Sequence, residues 1–152
     1  MSTYWDKRID SARKNFVLCD ELFTGDVVVV GLGALILNGL SYYPIEGNLT
    51  ILSPSSSWDC VSSGLYEYEY LEGYDRVIGY EENSHIPTSE RAICNCILYD
   101  RWGLYLVEAL QFYMENEELY NLEKLLETAN KLGISSEIIL NELEEVKRYY
   151  GQ

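Results

Sequence analysis

From Thr88 to the C-terminus, apolar residues recur at helical spacing, and this pattern constrains the fold more than any other feature of the chain. Thr88 or Ser89 can cap the first of these helices, because a hydroxyl oxygen accepts hydrogen bonds from the free backbone N–H groups. The predicted inner face of this helix contains Ala92, Ile93, Cys96 and Ile97. The residues predicted to be buried by a second helix are Leu104, Val107, Leu110 and Met114.

Two further helices are predicted after this pair. Asn116 is the predicted N-cap of the third helix, and Gly133 is its predicted stop, because glycine readily adopts the left-handed conformation that ends many helices. The predicted inner face of the third helix contains Leu119, Leu122, Leu126 and Ala129. The fourth helix is predicted to begin at Ser135 or Ser136. Its in-phase residues are Ile139, Leu143, Val146 and Tyr150.

The N-terminal part of the chain combines an amphipathic helix with shorter apolar segments. A helix is predicted over residues 6–22. Its apolar face contains Trp5, Ile9, Ala12, Phe16 and Cys19. The apolar run over residues 26–40 is either a buried strand that enters a short helix or a single buried helix, with Gly39 as a predicted helix stop. Residues 49–53 are a short strand candidate.

An acidic, tyrosine-rich segment, L-Y-E-Y-E-Y-L-E-G-Y-D-R-V-I-G-Y-E-E, occupies residues 65–82. Residues 65–71 and 74–80 are predicted to form a β-hairpin whose turn contains Glu72 and Gly73. In a strand, successive side chains point to opposite faces. The tyrosines of the first strand are therefore predicted to lie on one face and its glutamates on the other.

This alternation has two interpretations. Carboxylates interleaved with aromatic rings suit docking to a basic protein surface. Alternatively, the glutamates simply form the solvated face of a hairpin, since tyrosine is a good strand former. Under the first interpretation, the candidate partner-binding residues are Tyr66, Glu67, Tyr68, Glu69, Tyr70, Glu72 and Asp75.

The order of these elements predicts a single α+β domain over residues 1–152. It would consist of an N-terminal helix, a small β-sheet or hairpin in the middle, and a C-terminal four-helix segment. The hydrophobic fraction of 47% is typical of a globular protein with one core. No apolar run is long enough to cross a bilayer, and the charged N-terminus is unlike a secretory signal, so we expect a cytoplasmic protein.

The chain is strongly acidic. It contains 25 acidic and 11 basic side chains, which gives a formal net charge of −14, and residues 44–152 account for −13 of it. Such a field repels phosphate groups, so direct nucleic-acid binding is not expected. It favours association with a basic protein, including one that itself handles nucleic acid.

The residue types of metal and catalytic sites lack the usual spacing. The four cysteines are Cys19, Cys60, Cys94 and Cys96. They form no C-x-x-C pair, and His85 is the only histidine, so we predict no metal ion and no cofactor. The thiols are expected to be reduced and mostly buried. With no convincing nucleophile and base, we predict no catalytic residue.

Gly31 and Gly33 in the G-L-G-A-L run resemble the glycine pair of the nucleotidyltransferase superfamily. Those enzymes hold magnesium with two acids separated by one residue. The corresponding residues 48–50 read N-L-T, which lacks the anionic oxygens that a hard divalent cation needs. The resemblance therefore implies an inactive copy. An active enzyme would need an unconventional metal site that uses Asp59 or Glu46.

The P-T-S-E-R-A-I run over residues 87–93 resembles the T-P-E-R-A-hydrophobic motif in the C-terminal domain of AbiEi-type antitoxins. Two later segments are similar to the helical tail of that family: L-V-E-A-L-Q-F-Y at residues 106–113 and L-E-K-L-L-E-T-A-N-K-L-G at residues 122–133. A-L-I-L-N-G-L at residues 34–40 is similar to its A-L-x-L-H-G-L segment, with Asn38 at the position of the usual histidine.

The resemblance covers residues 27–145 and implies an antitoxin-like fold. In that family an N-terminal winged helix-turn-helix binds the operon's own promoter, and the C-terminal domain opposes a nucleotidyltransferase toxin. Residues 1–26 have room for only one helix, so the resemblance implies the interaction domain without the DNA-binding domain.

Charge and resemblance lead to three functional hypotheses. The first is a non-enzymatic, acidic, antitoxin-like inhibitor that neutralises a basic toxin or defence effector by direct binding. The second is a phage-type anti-defence or anti-CRISPR protein that mimics nucleic acid. The third, from the enzyme class, is a nucleotidyltransferase-like enzyme.

Overall fold

A computed structural model of the chain describes residues 28–44, 49–52, 66–69, 73–81 and 84–150. These residues form an α+β fold in which a small sheet and a short buried helix pack against the C-terminal helices. The amphipathic helix predicted over residues 6–22 lies outside the described ranges.

A buried strand leads directly into a short buried helix. The strand β1 is Val28–Val30, the helix α1 is Gly31–Leu37, and every residue of both elements is buried. The apolar run is therefore a strand that enters a helix, which was the first of the two predicted alternatives. Asn38 is the last residue of the helix cap, and Gly39, with a φ of 76°, follows as the predicted helix stop.

Three strands form one sheet in the order β1-β2-β3, where β2 is Leu49–Leu52 and β3 is Tyr66–Glu69. β1 and β2 are antiparallel, with Val29 opposite Ile51. β2 and β3 are parallel, with Ile51 opposite Tyr68. The strand candidate over residues 49–53 is confirmed as β2, which contributes buried side chains to the core.

The hairpin predicted over residues 65–80 is wrong. Its first half is β3, but β3 pairs with β2, and residues 74–80 form turns and bends. The Asp75 carboxylate accepts hydrogen bonds from the N–H groups of Val77 and Ile78, both at 2.8 Å, and thereby closes a tight turn. This turn occupies backbone donors that a strand ladder would need.

The C-terminal region contains the four predicted helices together with a 3-10 helix. The helices are α2 (Ser89–Leu98), α3 (Leu106–Glu115), α4 (Leu122–Lys131) and α5 (Ser136–Tyr150), and the 3-10 helix is Asp100–Tyr105. Thr88 caps α2, as predicted, because its hydroxyl oxygen accepts a hydrogen bond from the Arg91 N–H group at 3.2 Å. α4 ends before Gly133 and α5 begins after Ser135, also as predicted.

The second of these helices is predicted correctly in position, and Leu110 of its predicted apolar stripe is buried, but two other residues of that stripe are exposed. Leu104 is 73% exposed and Val107 is 43% exposed, whereas the buried residues of this region include Leu106, Ala109 and Tyr113. Leu104 belongs to the 3-10 helix, which has about three residues per turn, so its side chain is out of phase with the apolar stripe of α3.

The third helix begins later than predicted. Asn121 caps α4, because its Oδ1 atom accepts a hydrogen bond from the Lys124 N–H group at 3.0 Å. Asn116, the predicted cap, closes the preceding turn instead. Its Oδ1 atom accepts hydrogen bonds from the N–H groups of Glu118 at 3.1 Å and Leu119 at 3.2 Å.

One hydrophobic core joins the sheet, α1 and the C-terminal helices. Its fully buried side chains include Leu35, Ile51, Ile93, Leu110, Leu125 and Ile139. Over the ranges that the structure describes, no helix is both long enough and apolar enough to cross a bilayer.

Candidate functional site

Two of the four segments that were compared with antitoxin motifs, residues 34–40 and 87–93, meet in space. Asn38, directly after α1, donates hydrogen bonds from Nδ2 to the Ala34 carbonyl oxygen at 2.8 Å and to the Pro87 carbonyl oxygen at 3.1 Å. Ser89, the first residue of α2, donates to Asn38 Oδ1 at 3.1 Å. A single amide side chain therefore joins the end of α1 to the start of α2.

An open cavity of about 380 Å³ lies beside this junction. Its lining includes Asn38, Ser89, Glu90, Tyr120, Asn121 and Lys124. The Glu90 carboxylate is buried on the α2 side, and Lys124 of α4 places Nζ 3.6 Å from Glu90 Oε1. The cavity thus has one buried acid, paired with a half-exposed base.

Tyr113 of α3 also bonds to this buried acid. Its hydroxyl group donates to Glu90 Oε2 at 2.6 Å and accepts a hydrogen bond from the Asn121 N–H group at 2.9 Å. Burial, followed by the hydrogen bond to Glu90, raises the pKa of Tyr113 far above its usual value, so the phenol stays protonated. The Glu90 carboxylate is therefore already paired inside the protein, which suits a structural role.

Arg91 forms a second buried polar group one residue further along α2. Its side chain is 1% exposed. Its Nη1 atom donates to the Ile78 carbonyl oxygen at 2.7 Å, and its Nε atom donates to Asn95 Oδ1 at 3.0 Å. The Asp75 carboxylate lies 3.7 Å from Nη1 and neutralises the charge. Arg91 consequently ties the turn after the acidic segment to α2.

Two tyrosines surround the guanidinium group of Arg91. Its central carbon lies 4.6 Å from the ring centre of Tyr74 and 5.7 Å from that of Tyr80. A chain of hydrogen bonds runs from Asn95 Nδ2 to the Tyr74 hydroxyl at 3.1 Å and on to the Tyr80 hydroxyl at 2.7 Å. It ends at the Val29 carbonyl oxygen, 2.9 Å from the Tyr80 hydroxyl. Burial raises the pKa of both tyrosines, so each keeps its proton.

Sequence reasoning did not select these buried polar residues. Glu90 and Arg91 belong to the P-T-S-E-R-A-I run over residues 87–93, but the sequence assigns no role to either side chain. Arg91 and Asn95 have the i, i+4 spacing that allows side chains to meet on one helix face. Tyr74 and Tyr80 were assigned to the second strand of the hairpin and not to a buried turn.

The predicted partner-binding residues are only partly within the described ranges. Tyr66, Glu67, Tyr68 and Glu69 form β3, where they lie in register with Leu49, Thr50, Ile51 and Leu52 of β2. Tyr70 and Glu72 lie outside the described ranges.

Asp75 has a structural role in addition to any role in binding. Its side chain is 42% exposed, yet its carboxylate bonds to the turn backbone and to Arg91. Partial burial acts to raise the pKa of Asp75, but the N–H groups of Ile78 and Val77 and the charge of Arg91 hold it below the usual value. Replacing Asp75 would therefore perturb the turn as well as the surface charge.

The described cysteines are buried thiols of α2. Cys94 and Cys96 are free and buried in α2, as predicted, and burial raises the pKa of each thiol to about 12. No group of three or more His, Cys, Asp or Glu residues that could hold a metal ion occurs among the described residues. Glu46 and Asp59, which the enzyme hypothesis would require, lie outside the described ranges, as do Cys19 and Cys60.

No protein-family model matches the chain, and no curated protein sequence matches it. The similarity of residues 34–40 and 87–93 to antitoxin motifs therefore stays a prediction, and the function has to be argued from charge and geometry.

Proposed function

We propose that the protein is a non-enzymatic, acidic, antitoxin-like inhibitor that neutralises a basic partner protein by direct binding. The observation that carries this proposal is that the Y-E-Y-E run at Tyr66–Glu69 forms a strand in register with the buried strand β2. The alternating acidic and aromatic sequence is thus part of a sheet and not of an irregular loop, and a backbone that is already ordered loses less entropy when a partner docks on it.

The charge of the chain favours a basic protein as the partner. A net charge of −14 attracts a basic protein over several ångströms and accelerates the encounter, while tyrosine rings supply contact area at a small entropic cost. The partner would be a basic toxin or a defence effector that handles nucleic acid.

The buried network around Arg91 supports the same function. Through bonds to Ile78 and Asn95, it fixes the turn that contains Asp75. This turn lies six residues after Glu69, the last residue of β3. A surface held in its bound conformation loses less entropy on association than a mobile one. The network therefore favours binding, whereas its neutral, fully bonded tyrosines offer no free acid or base for catalysis.

The proposal is tested by an affinity capture from a lysate of the source cells, washed at low and at high salt, with mass spectrometry of the retained proteins. The captured protein is then purified and its association rate measured with two variants of equal charge. Glu67→Gln/Glu69→Gln changes the proposed surface, and Glu117→Gln/Glu144→Gln changes exposed acids elsewhere. Because both variants lose two charges, a difference between them reports location and not net charge.

We expect Glu67→Gln/Glu69→Gln to slow association about tenfold and to weaken its salt dependence, with a smaller change in the control variant. Equal effects of the two variants would show that only net charge matters, which would contradict the assignment of the binding surface to β3. Displacement of the partner by DNA or RNA would indicate the nucleic-acid mimic instead. Magnesium-dependent turnover of a nucleoside triphosphate, abolished by Asp59→Ala or Glu46→Ala, would favour the enzyme and overturn the proposal.

A further inference from the structure

Four large side chains outside the acidic segment are exposed. They are Tyr42 (42% exposed), Tyr43 (43%), Leu104 (73%) and Val107 (43%), here called the aromatic patch. Single exposed apolar residues are ordinary, but large apolar side chains that occur together on a surface commonly mark an interaction site.

Contacts between the two chain segments place Tyr42 and Tyr43 against the part of the chain that carries Leu104 and Val107. The Tyr42 ring meets Phe112 of α3 edge to face with 4.6 Å between ring centres, and the Tyr43 ring meets Tyr105 in the same way at 5.6 Å. The Tyr42 N–H group donates to Glu108 Oε1 at 3.2 Å. The segment after α1 is therefore attached to the start of α3, beside Leu104 and Val107.

The same face of α3 is acidic beyond the patch. Glu108, Gln111 and Glu115 follow Leu104 and Val107 at helical spacing, and Gln111 Nε2 donates to Glu115 Oε1 at 3.3 Å. The sequence of α3 contains no Lys or Arg. The exposed Arg101 of the preceding 3-10 helix lies three residues before Leu104, with its guanidinium carbon 4.8 Å from the centre of the Trp102 ring. An apolar surface bordered by carboxylates is complementary to an apolar side chain flanked by basic residues.

We infer that the aromatic patch is the apolar centre of the interface with the basic partner, and this inference rests on the proposed function. An apolar side chain of the partner packs against Tyr42, Leu104 and Val107. Flanking Lys or Arg side chains pair with Glu108 and Glu115, whose carboxylates can accept further hydrogen bonds. In protein interfaces, a few large side chains buried at the centre contribute most of the binding energy, and charged residues lie at the rim.

A second copy of this chain is a poor occupant of the same surface. In a two-fold dimer built on the patch, the acidic rim of one copy would face the acidic rim of the other. Each copy also carries a net charge of −14, so repulsion would oppose the contact at moderate salt. Charge complementarity therefore selects a basic partner.

The test uses the purified partner obtained from the salt-washed capture. Leu104→Ser/Val107→Ser removes the apolar centre, and Ile138→Ser/Leu140→Ser on α5 is the matched control, because those side chains are 44% and 43% exposed. We expect the patch variant to raise Kd at least about tenfold and the control to change it less than about twofold. Unchanged urea unfolding of both variants confirms that the fold is intact.

A photo-crosslinking amino acid at Leu104, with Ile138 as the control position, identifies what covers the patch. Crosslinking to the basic partner from Leu104 alone supports the inference, whereas crosslinking to a second copy overturns it. If the patch variant binds like the wild type while Glu67→Gln/Glu69→Gln weakens binding, the patch is not the interface and the proposed function stands. If no salt-sensitive basic partner is captured, both the inference and the proposed function fail.

Discussion

The guanidinium carbon of Arg91 lies 4.6 Å from the centre of the Tyr74 ring, in a site where the arginine side chain is almost fully buried. Such a contact is worth about 2 kcal/mol when it is desolvated. Because Arg91 also bonds to Ile78 and Asn95, it connects the turn after the acidic segment to helix α2. The arginine of the antitoxin-like motif is thus a structural residue, and its replacement should destabilise the fold.

Replacing Arg91 with Met should lower the free energy of unfolding by about 3 kcal/mol, because the Ile78 carbonyl and the Asn95 amide oxygen lose a buried donor. Lys147→Met on α5 is the control, since it removes the same charge from an exposed position. The measurement is urea unfolding of both variants, and we expect the control to stay within about 0.5 kcal/mol of the wild type. A loss below about 1 kcal/mol for Arg91→Met would contradict the assigned role.

Gly79→Ala should be much more destabilising than Gly133→Ala. Both glycines have a left-handed φ, 81° and 82°, so each substitution costs about 1 to 2 kcal/mol in backbone strain. An added Cβ at Gly79 would meet Arg91 Cβ at a distance far inside van der Waals contact, whereas nothing lies within 4 Å of one at Gly133. Thermal and urea unfolding should therefore rank the two variants clearly. Equal losses would show that the turn can move away from α2.

Tyr113→Phe should destabilise the fold by about 2 kcal/mol, because it removes a hydrogen bond to the buried Glu90 carboxylate and the acceptor of the Asn121 N–H group. Tyr149→Phe is the matched control at a position that is 82% exposed. Urea unfolding at neutral pH measures both. If the two variants are equally stable, the ion pair with Lys124 is sufficient for the buried Glu90 carboxylate and the hydrogen bond from Tyr113 is not needed.

Stability should fall at alkaline pH in part through Cys94 and Cys96. Their pKa is raised from 9.0 to about 12 in the folded protein, so between these values the unfolded chain loses protons that the native state keeps. This contribution is complete below pH 9 and is lost as the pH rises toward 12. Between pH 8 and 10.5 the wild type should lose about 2 to 4 kcal/mol more than Cys94→Ala/Cys96→Ala.

The control for this pH dependence lies within the same pair of proteins. Tyr74, Tyr80 and Tyr113 also have a raised pKa, but they titrate in both the wild type and the double variant. Their contribution cancels in the difference between the two pH profiles. Parallel profiles from urea unfolding would show that the two thiols are accessible to solvent.

Features that depend on neighbouring residues were predictable from the sequence. Thr88 caps α2, Gly39 and Gly133 end helices, and β2 lies where the short apolar run predicted a strand. Capping bonds and left-handed glycines involve residues only a few positions apart, so the chemistry that determines them is written in the local sequence.

The buried part of the candidate site was not predictable in the same way. Glu90, Arg91 and Asn95 are ordinary polar residues in the sequence, and their partners lie up to 34 positions away, as for Glu90 and Lys124. Tyr66 and Glu69 were correctly predicted to lie in a strand. That strand pairs with β2, whereas the prediction paired it with residues 74–80.

By itself, the sequence determined the α+β class, the positions of the C-terminal helices and the acidic character of the chain. The tertiary structure alone decided that β3 pairs in parallel with β2, that Leu104 is exposed on a 3-10 turn, and that Arg91 is buried between two tyrosines. The physical reason is that strand pairing and burial of charge are stabilised by groups distant along the chain, whose approach depends on the packing of the whole domain.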